Sequence, residues 1–374
     1  MTLRASRATL LSDAAVIIHA FLESPLKKFT RYLCIGLAAL ALVVAAASVW
    51  FYFYSKKPHA RFVLNMAGVR EPVDFQEREL RLDVKGASVP VMEFVKPGAT
   101  VGRYMVLLHG FSPLAHRDPR MKKMAASICD ATGITVFIPR VASLFHDKLS
   151  MNEAAAEIAD TYTSLSRAHP GRYYAFGVCM GASLLVMGLQ KVPADIYPTK
   201  LLLVGPITDG KSLMKLHGEK NIPNQDIIFK LIVTANMEVF NDNEKALIRK
   251  AMLNAGSGRT DESRIRRILG ERLFNDISIV SLKNRDMESV TPDSILGSGV
   301  PNAKFYILHS RNDTIVPSVQ GKSIAQIIRG RGGKAPYLET GLLDHADSHI
   351  TARGFISEAR HMMSFWADFF AEER

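Results

Sequence analysis

The stretch Gly177-Val178-Cys179-Met180-Gly181 decides the reading of this chain. Ahead of it Tyr173, Tyr174, Ala175 and Phe176 read as a short buried strand; behind it Ala182, Ser183, Leu184, Leu185, Val186 and Met187 continue as a tightly packing helix. A thiol centred between two glycines on a strand-to-helix turn has the form of a nucleophile elbow. Its backbone is strained, and the glycines two residues to either side let strand and helix approach closely. Serine is the usual occupant of the centre, and this chain has Cys179.

Outward from the elbow, strands alternate with helices, which predicts an α/β fold with a mainly parallel sheet covered on both faces. Phe75 to Val84 and Val89 to Val95 read as an opening hairpin. Strands follow at Tyr104 to Leu108, Ile134 to Pro139 and Leu201 to Val204, with helices at Arg120 to Ala131 and Asn152 to Ala168. From Asp209 to about Gly299 the alternation gives way to helical spacing only, in Asp226 to Phe240, Asn243 to Asn254 and Ser263 to Phe274. That stretch, 209–299, is expected to be a helical cap inserted into a core of 71–208 and 300–374. The sheet pattern resumes with Lys304 to Leu308, a helix from Val319 to Ile328, Pro336 to Leu342, and an amphipathic helix from Ser357 to Phe370.

Before the core, residues 32–54 are uncharged and mostly Leu, Ala, Val and Ile, long enough to cross a hydrocarbon layer of about 30 Å. They end in Trp50, Phe51, Tyr52, Phe53 and Tyr54, followed by Lys56 and Lys57, as interface anchors do. The segment is therefore read as one transmembrane helix. The competing reading is a cleaved signal peptide, for which Ala45-Ala46-Ala47 offers a site. Residues 1–31 precede it, with Ala14 to Leu22 read as a helix lying at the interface. Counting Lys and Arg on either side favours a cytoplasmic N-terminus by one residue, which puts the core outside the cytoplasm. Residues 55–70 are read as a polar linker.

The 374 residues suffice for one large α/β domain with an insertion or for two ordinary domains, and 48% hydrophobic with 22% charged is a globular balance. A formal charge of +11 and a pI near 9.5 invite an anionic partner, but Lys and Arg are spread among Asp and Glu with no aromatic-laced stripe. Nucleic acid is thereby disfavoured, and anionic lipid headgroups account for the excess more simply. Three cysteines, Cys34, Cys129 and Cys179, are too few and scattered for a disulfide framework or a metal site, and no cofactor is read. Cys34 falls in the membrane segment and Cys129 in an amphipathic helix as a small buried hydrophobe, with a Cys129 to Cys179 disulfide left open.

Three further places fit one reaction with the elbow. Leu107-Leu108-His109-Gly110-Phe111 leaves a buried strand, and its glycine lets the next amide turn toward a neighbouring site, so that the Phe111 and Met180 amides form an oxyanion hole. Ser310-Arg311-Asn312-Asp313-Thr314 leaves another strand and presents Asp313 at the carboxyl edge of the sheet, where open α/β sheets place their sites; an Asx turn is the alternative. Gly341-Leu342-Leu343-Asp344-His345-Ala346-Asp347-Ser348-His349 follows the last strand. Spacing favours His345, nearer the strand end, over His349.

The order nucleophile, acid, histidine on alternating strands and helices resembles the α/β-hydrolase family from about Phe75 to Phe370. The insertion falls where that family carries its cap. Residue by residue, the resemblance implies Cys179 as nucleophile, Asp313 as acid and His345 as base, with Phe111 and Met180 as oxyanion amides. Asp209, just past the preceding strand, is the alternative acid, since some members place it there. The Cys-centred elbow is similar to that of dienelactone hydrolase, Gly-x-Cys-x-Gly, yet the cap and membrane segment depart from that compact soluble enzyme, so its lactone is not carried over. The run Arg117-Asp118-Pro119-Arg120 also resembles uncharacterised bacterial hydrolases.

These readings lead to a membrane-anchored hydrolase of a carboxylic ester, thioester or lactone, working by acyl transfer through Cys179. In the cap, Met214, Ile228, Leu231, Met237, Phe240 and Met252 either line an apolar substrate pocket or form the cap's own core. The competing class is a non-catalytic hydrolase fold that serves as a binding or scaffold module at the membrane. It is motivated by the sulfur, a good leaving group and an oxidisable one.

Overall fold

Lys85 and Gly86, at φ of 53° and 84°, make the two-residue turn on which the sheet begins, positive φ at both central residues being the type I′ form whose twist matches the strands. The turn joins β1 (Gln76–Val84) to β2 (Ala87–Val95) in antiparallel register, Val84 facing Ala87. The structure, a computed structural model, describes residues 32–33, 36–37, 40–45, 54–98, 102–112, 114–144, 150–213, 241–246, 289–297, 303–344, 347–348 and 352–372. The chain divides into two compact units, 1–57 and 58–374.

In the second unit β3 (Arg103–Leu108), β4 (Thr135–Pro139), β5 (Arg172–Val178), β6 (Lys200–Val204), β7 (Lys304–Ser310) and β8 (Tyr337–Thr340) complete an eight-stranded sheet of order β1-β2-β4-β3-β5-β6-β7-β8. The strand β2 pairs antiparallel with both its neighbours, and from β4 to β8 every pairing is parallel. A short ribbon of β9 (Leu343–Asp344) and β10 (Asp347–Ser348) follows. This mixed sheet fits an α/β-hydrolase fold.

The buried strands β3 to β7 are almost continuously apolar because helices cover both faces. Adjacent residues of β5 show the two sides. Tyr173 meets Tyr162 of α3 (Met151–Ala168), whereas Tyr174 shares a cavity with Phe369 and Phe370 of α7 (Ala352–Phe370). On the α7 side lie α1 (Pro58–Met66) and α2 (Pro119–Thr132), which starts at the Asp118 cap with Pro119 at its first turn and stops at Gly133, φ 69°. Next to α3 lies α4 (Met180–Leu189), whose ten residues are all buried, as a helix apolar on every side but for Ser183 requires. Two more helices are α5 (Pro292–Leu296) and α6 (Ser318–Gly330).

The linker reading of 55–70 is corrected. Residues 58–66 form α1, and Phe62 packs in the core against Trp366 and Phe370. Its polar residues are there for a distant partner: Arg61 and Asn65 both donate to the buried Asp130 of α2. Among the described residues no helix is long and apolar enough to cross a membrane, but most of 32–54 lies outside them, as do 1–31. The parts described, 32–33, 36–37 and 40–45, are helical and exposed. Of the expected cap, only 209–213, 241–246 and 289–297 are described. The helices expected there fall outside the described residues, apart from the overlap at 243–246, and Met214, Ile228, Leu231, Met237, Phe240 and Met252 fall outside as well.

Candidate active site

Strand β5 ends at Val178 and helix α4 begins at Met180, so the whole change of direction falls on Cys179 at φ 54°, ψ −127°. Non-glycine residues rarely hold such a backbone, and the surroundings fix it. The Cys179 amide donates to the Val204 carbonyl at 2.7 Å, extending the β5–β6 ladder into the turn. A Cβ on Gly177 would stand 2.5 Å from Ala182 Cα, and one on Gly181 would run into the His109 carbonyl. Both glycines are thus required by close approach. The thiol is buried, 7% exposed, and carries no disulfide; Cys129 is a separate free thiol, which burial pushes up to about 12.

The turn leaving β3 lies against the elbow: a Cβ on Gly110 would be 3.1 Å from Cys179 Cβ and from the Val178 carbonyl. Between them is a cavity of about 40 Å³ whose walls include Cys179, Phe111, Ser112, Asp118, Arg120 and Met124. Asp118, almost fully buried, ties this turn to the start of α2: it accepts from Ser112 Oγ at 2.7 Å, from the Arg120 amide at 2.9 Å and from Arg120 Nη2 at 2.8 Å. Burial opposes its charge, but the bonds from Arg120 and Ser112 outweigh that and hold the carboxyl below the usual range. His109, fully buried, has its pKa lowered by burial despite a 2.8 Å contact from Nδ1 to the Gly110 carbonyl.

Asp313 follows the end of β7, two strands from the elbow, a lateral separation of about 10 Å. An imidazole can bridge that gap. Its side chain is buried, and Oδ1 accepts from the Ile315 and Val316 amides at 2.9 and 2.8 Å, so the Asx turn is present and fixes the carboxylate. Its Oδ2 lies 3.5 Å from Nε2 of His309, which the sequence reading missed. That nitrogen donates to the Val316 carbonyl at 2.7 Å, which assigns it the ring proton. His309 and Asp313 thus clamp both ends of one peptide residue. A histidine one residue past an expected strand gives no sequence signal for this.

Asp209 is used differently. Its carboxylate caps a helical turn through the Ser212 amide at 3.0 Å and the Ser212 hydroxyl at 2.5 Å, while Gln320 holds its backbone amide and carbonyl. His345 and His349 lie outside the described residues. The approach to His345 is described: Ser310 Oγ donates to the Leu343 carbonyl at 2.6 Å, and the Gly341 amide donates to Glu358 of α7 at 2.9 Å. These bonds tie the exit of β8 to β7 and to the last helix. Among the described residues no three His, Cys, Asp or Glu side chains converge as metal ligands would.

Neither a family model nor a curated protein matches the chain. Solved structures similar to it include a thermostable esterase from Pseudomonas putida ECU1011, 13% identical with a TM-score of 0.47, covering 84% of this chain and 90% of that one. The acylaminoacyl peptidase of Pyrococcus horikoshii is 13% identical with a TM-score of 0.46, covering 83% of this chain and 44% of that one. A bacterial heroin esterase is 12% identical with a TM-score of 0.49, covering 84% and 92%. Likenesses at this level transfer neither residues nor substrates.

Proposed function

We propose that this protein is an ester-type hydrolase acting on an apolar carboxylic ester, thioester or lactone, with Cys179 as nucleophile, His345 as base and Asp313 as acid. The observation that carries the reading is the strained, thiol-bearing residue at φ 54° between a strand end and a helix N-terminus, hemmed in by two glycines that admit no Cβ. Such a conformation presents a side chain at the carboxyl edge of the sheet, and a core residue needs none of it.

In the proposed reaction His345 takes the proton of Cys179 and sulfur attacks the substrate carbonyl. The amides of Phe111 and Met180 receive the charge of the tetrahedral oxyanion, each such donor contributing about 2.7 to 4 kcal/mol. Collapse breaks the ester bond; the leaving alcohol or thiol takes the proton from His345, and an acyl-thioenzyme remains. Water then gives a proton to the same imidazole and attacks the acyl carbon, releasing the acid and returning the proton to sulfur. Asp313, fixed by its two amide bonds, would orient the imidazole. In the same reading 32–54 anchors the enzyme in a membrane with the hydrolase outside the cytoplasm.

Hydrolysis of p-nitrophenyl butyrate and octanoate by wild type, Cys179→Ala and Cys179→Ser tests the proposal. Loss of activity by about 10³-fold or more in Cys179→Ala is expected. Equal rates in wild type and Cys179→Ala would remove the enzyme reading and leave a binding module.

A further inference from the structure

The strand that carries Cys179 at its carboxyl end helps to enclose, near its other end, a cavity of about 230 Å³. Met105 and Tyr174 pair across β3 and β5 and so point to one face; Arg103, two residues before Met105, shares that face. Phe369 and Phe370 of α7 form the facing wall, and Glu372 stands at the rim. A cavity of about 150 Å³ holds benzene, so this one accommodates a body larger than a single ring.

Two features of its lining point to a ligand. Tyr174 is 6% exposed and its hydroxyl makes no hydrogen bond to another described residue; that oxygen is not sealed off, so a ligand in the cavity that Tyr174 lines can reach it. Arg103 offers the fork that suits a carboxylate. Its Nη2 is anchored on the Thr132 carbonyl at 3.0 Å, and its Nη1 takes the Glu372 carboxylate at 2.7 Å. The Glu372 side chain is 73% exposed, so its hold on Arg103 is solvent-screened and easily exchanged.

We propose that this cavity binds a small apolar monocarboxylate, its charge on Arg103 in place of Glu372 and its body against Met105, Phe369 and Phe370. Tyr174 supplies the inner polar contact. The site is distinct from the elbow, since five residues of strand separate Tyr174 from Cys179, roughly 16 Å.

Calorimetric titration of the full-length protein with octanoate, and with octanamide as the uncharged control, tests this. Wild type is expected to bind octanoate at least tenfold more tightly than octanamide. Arg103→Met should weaken octanoate at least tenfold, and Glu372→Gln should tighten it several-fold by removing the internal competitor. The exposed position of Glu372 keeps that second variant informative even if Arg103→Met fails to fold. Cys179→Ala should leave the affinity unchanged whether or not the protein hydrolyses esters. Absence of binding, no gain in Glu372→Gln, or loss of binding in Cys179→Ala would overturn the assignment, the last by moving the ligand to the elbow.

Discussion

Replacing Gly181 with alanine separates the elbow's geometry from simple packing. A Cβ there would lie 2.9 Å from the His109 carbonyl carbon and closer still to its oxygen, with the Leu108 carbonyl at 3.1 Å, all of it backbone. No side chain can swing aside, so α4 or the turn after β3 must move by about 1 Å, and misplacement of that size costs on the order of 10²-fold in rate. The turn that moves carries the Phe111 amide. Overpacking of this kind also costs about 1–3 kcal/mol of stability.

Gly188, in the same helix, is the control. A Cβ there would meet the Ala155 carbonyl at 2.7 Å, an equally rigid contact, but with α3 and away from the elbow. Urea denaturation of Gly181→Ala and Gly188→Ala should therefore show losses of similar size, while kcat/KM on p-nitrophenyl esters falls about 10²-fold only in Gly181→Ala. If Gly181→Ala keeps wild-type activity, or if both variants lose activity in proportion to stability, the coupling of Gly181 to the oxyanion turn is wrong.

Lys200 is 2% exposed and donates to the carbonyls of Asp368, Phe369 and Ala371 at 3.1, 3.0 and 2.7 Å, closing the C-terminus of α7; Lys200→Met should lower unfolding free energy by about 3 kcal/mol in urea titrations. Burial lowers the pKa of His116 to about 4, Glu79 at 4.0 Å only partly opposing it, so the unfolded chain takes up the proton first and stability falls as pH drops below about 6.5. Between pH 7.5 and 5 wild type should lose about 2 kcal/mol more than His116→Phe, a difference from which the buried His109 cancels. Asp313→Asn should cut esterase kcat about 10⁴-fold and Asp209→Asn less than about fivefold; the reverse order would transfer the acid role to Asp209.

What the sequence made legible follows the range of each constraint. The turn at 177–181 is a five-residue statement, with glycines and thiol contiguous, and Cys179 holds the strained positive φ that such a turn implies. Alternation of strand and helix is nearly as local, so β3 to β8 emerge within a residue or two of their expected bounds at most ends. Residues whose reason lies far along the chain read wrongly. Arg61 and Asn65 lie within 55–70, read as a polar linker, although they are polar because Asp130 waits on another helix. Lys200 precedes the strand expected at Leu201 to Val204, and its three acceptors lie some 170 positions later. His309, just past the strand expected at Lys304 to Leu308, gave no sign that its ring would share Val316 with Asp313.

The same distinction separates the two ends of β5. At its carboxyl end the sequence announces Cys179 because a strained turn demands unusual residues in a row. Near the other end Tyr174 belongs to an ordinary apolar run, and only the neighbours brought by β3 and α7 show that its hydroxyl lacks a partner and that Arg103 stands close by. A site built on strain is written in consecutive residues, whereas one built on an enclosed space is written across strands and helices. The second kind appears only once the sheet has assembled, which is why a carboxylate pocket can share a strand with the elbow and leave no motif.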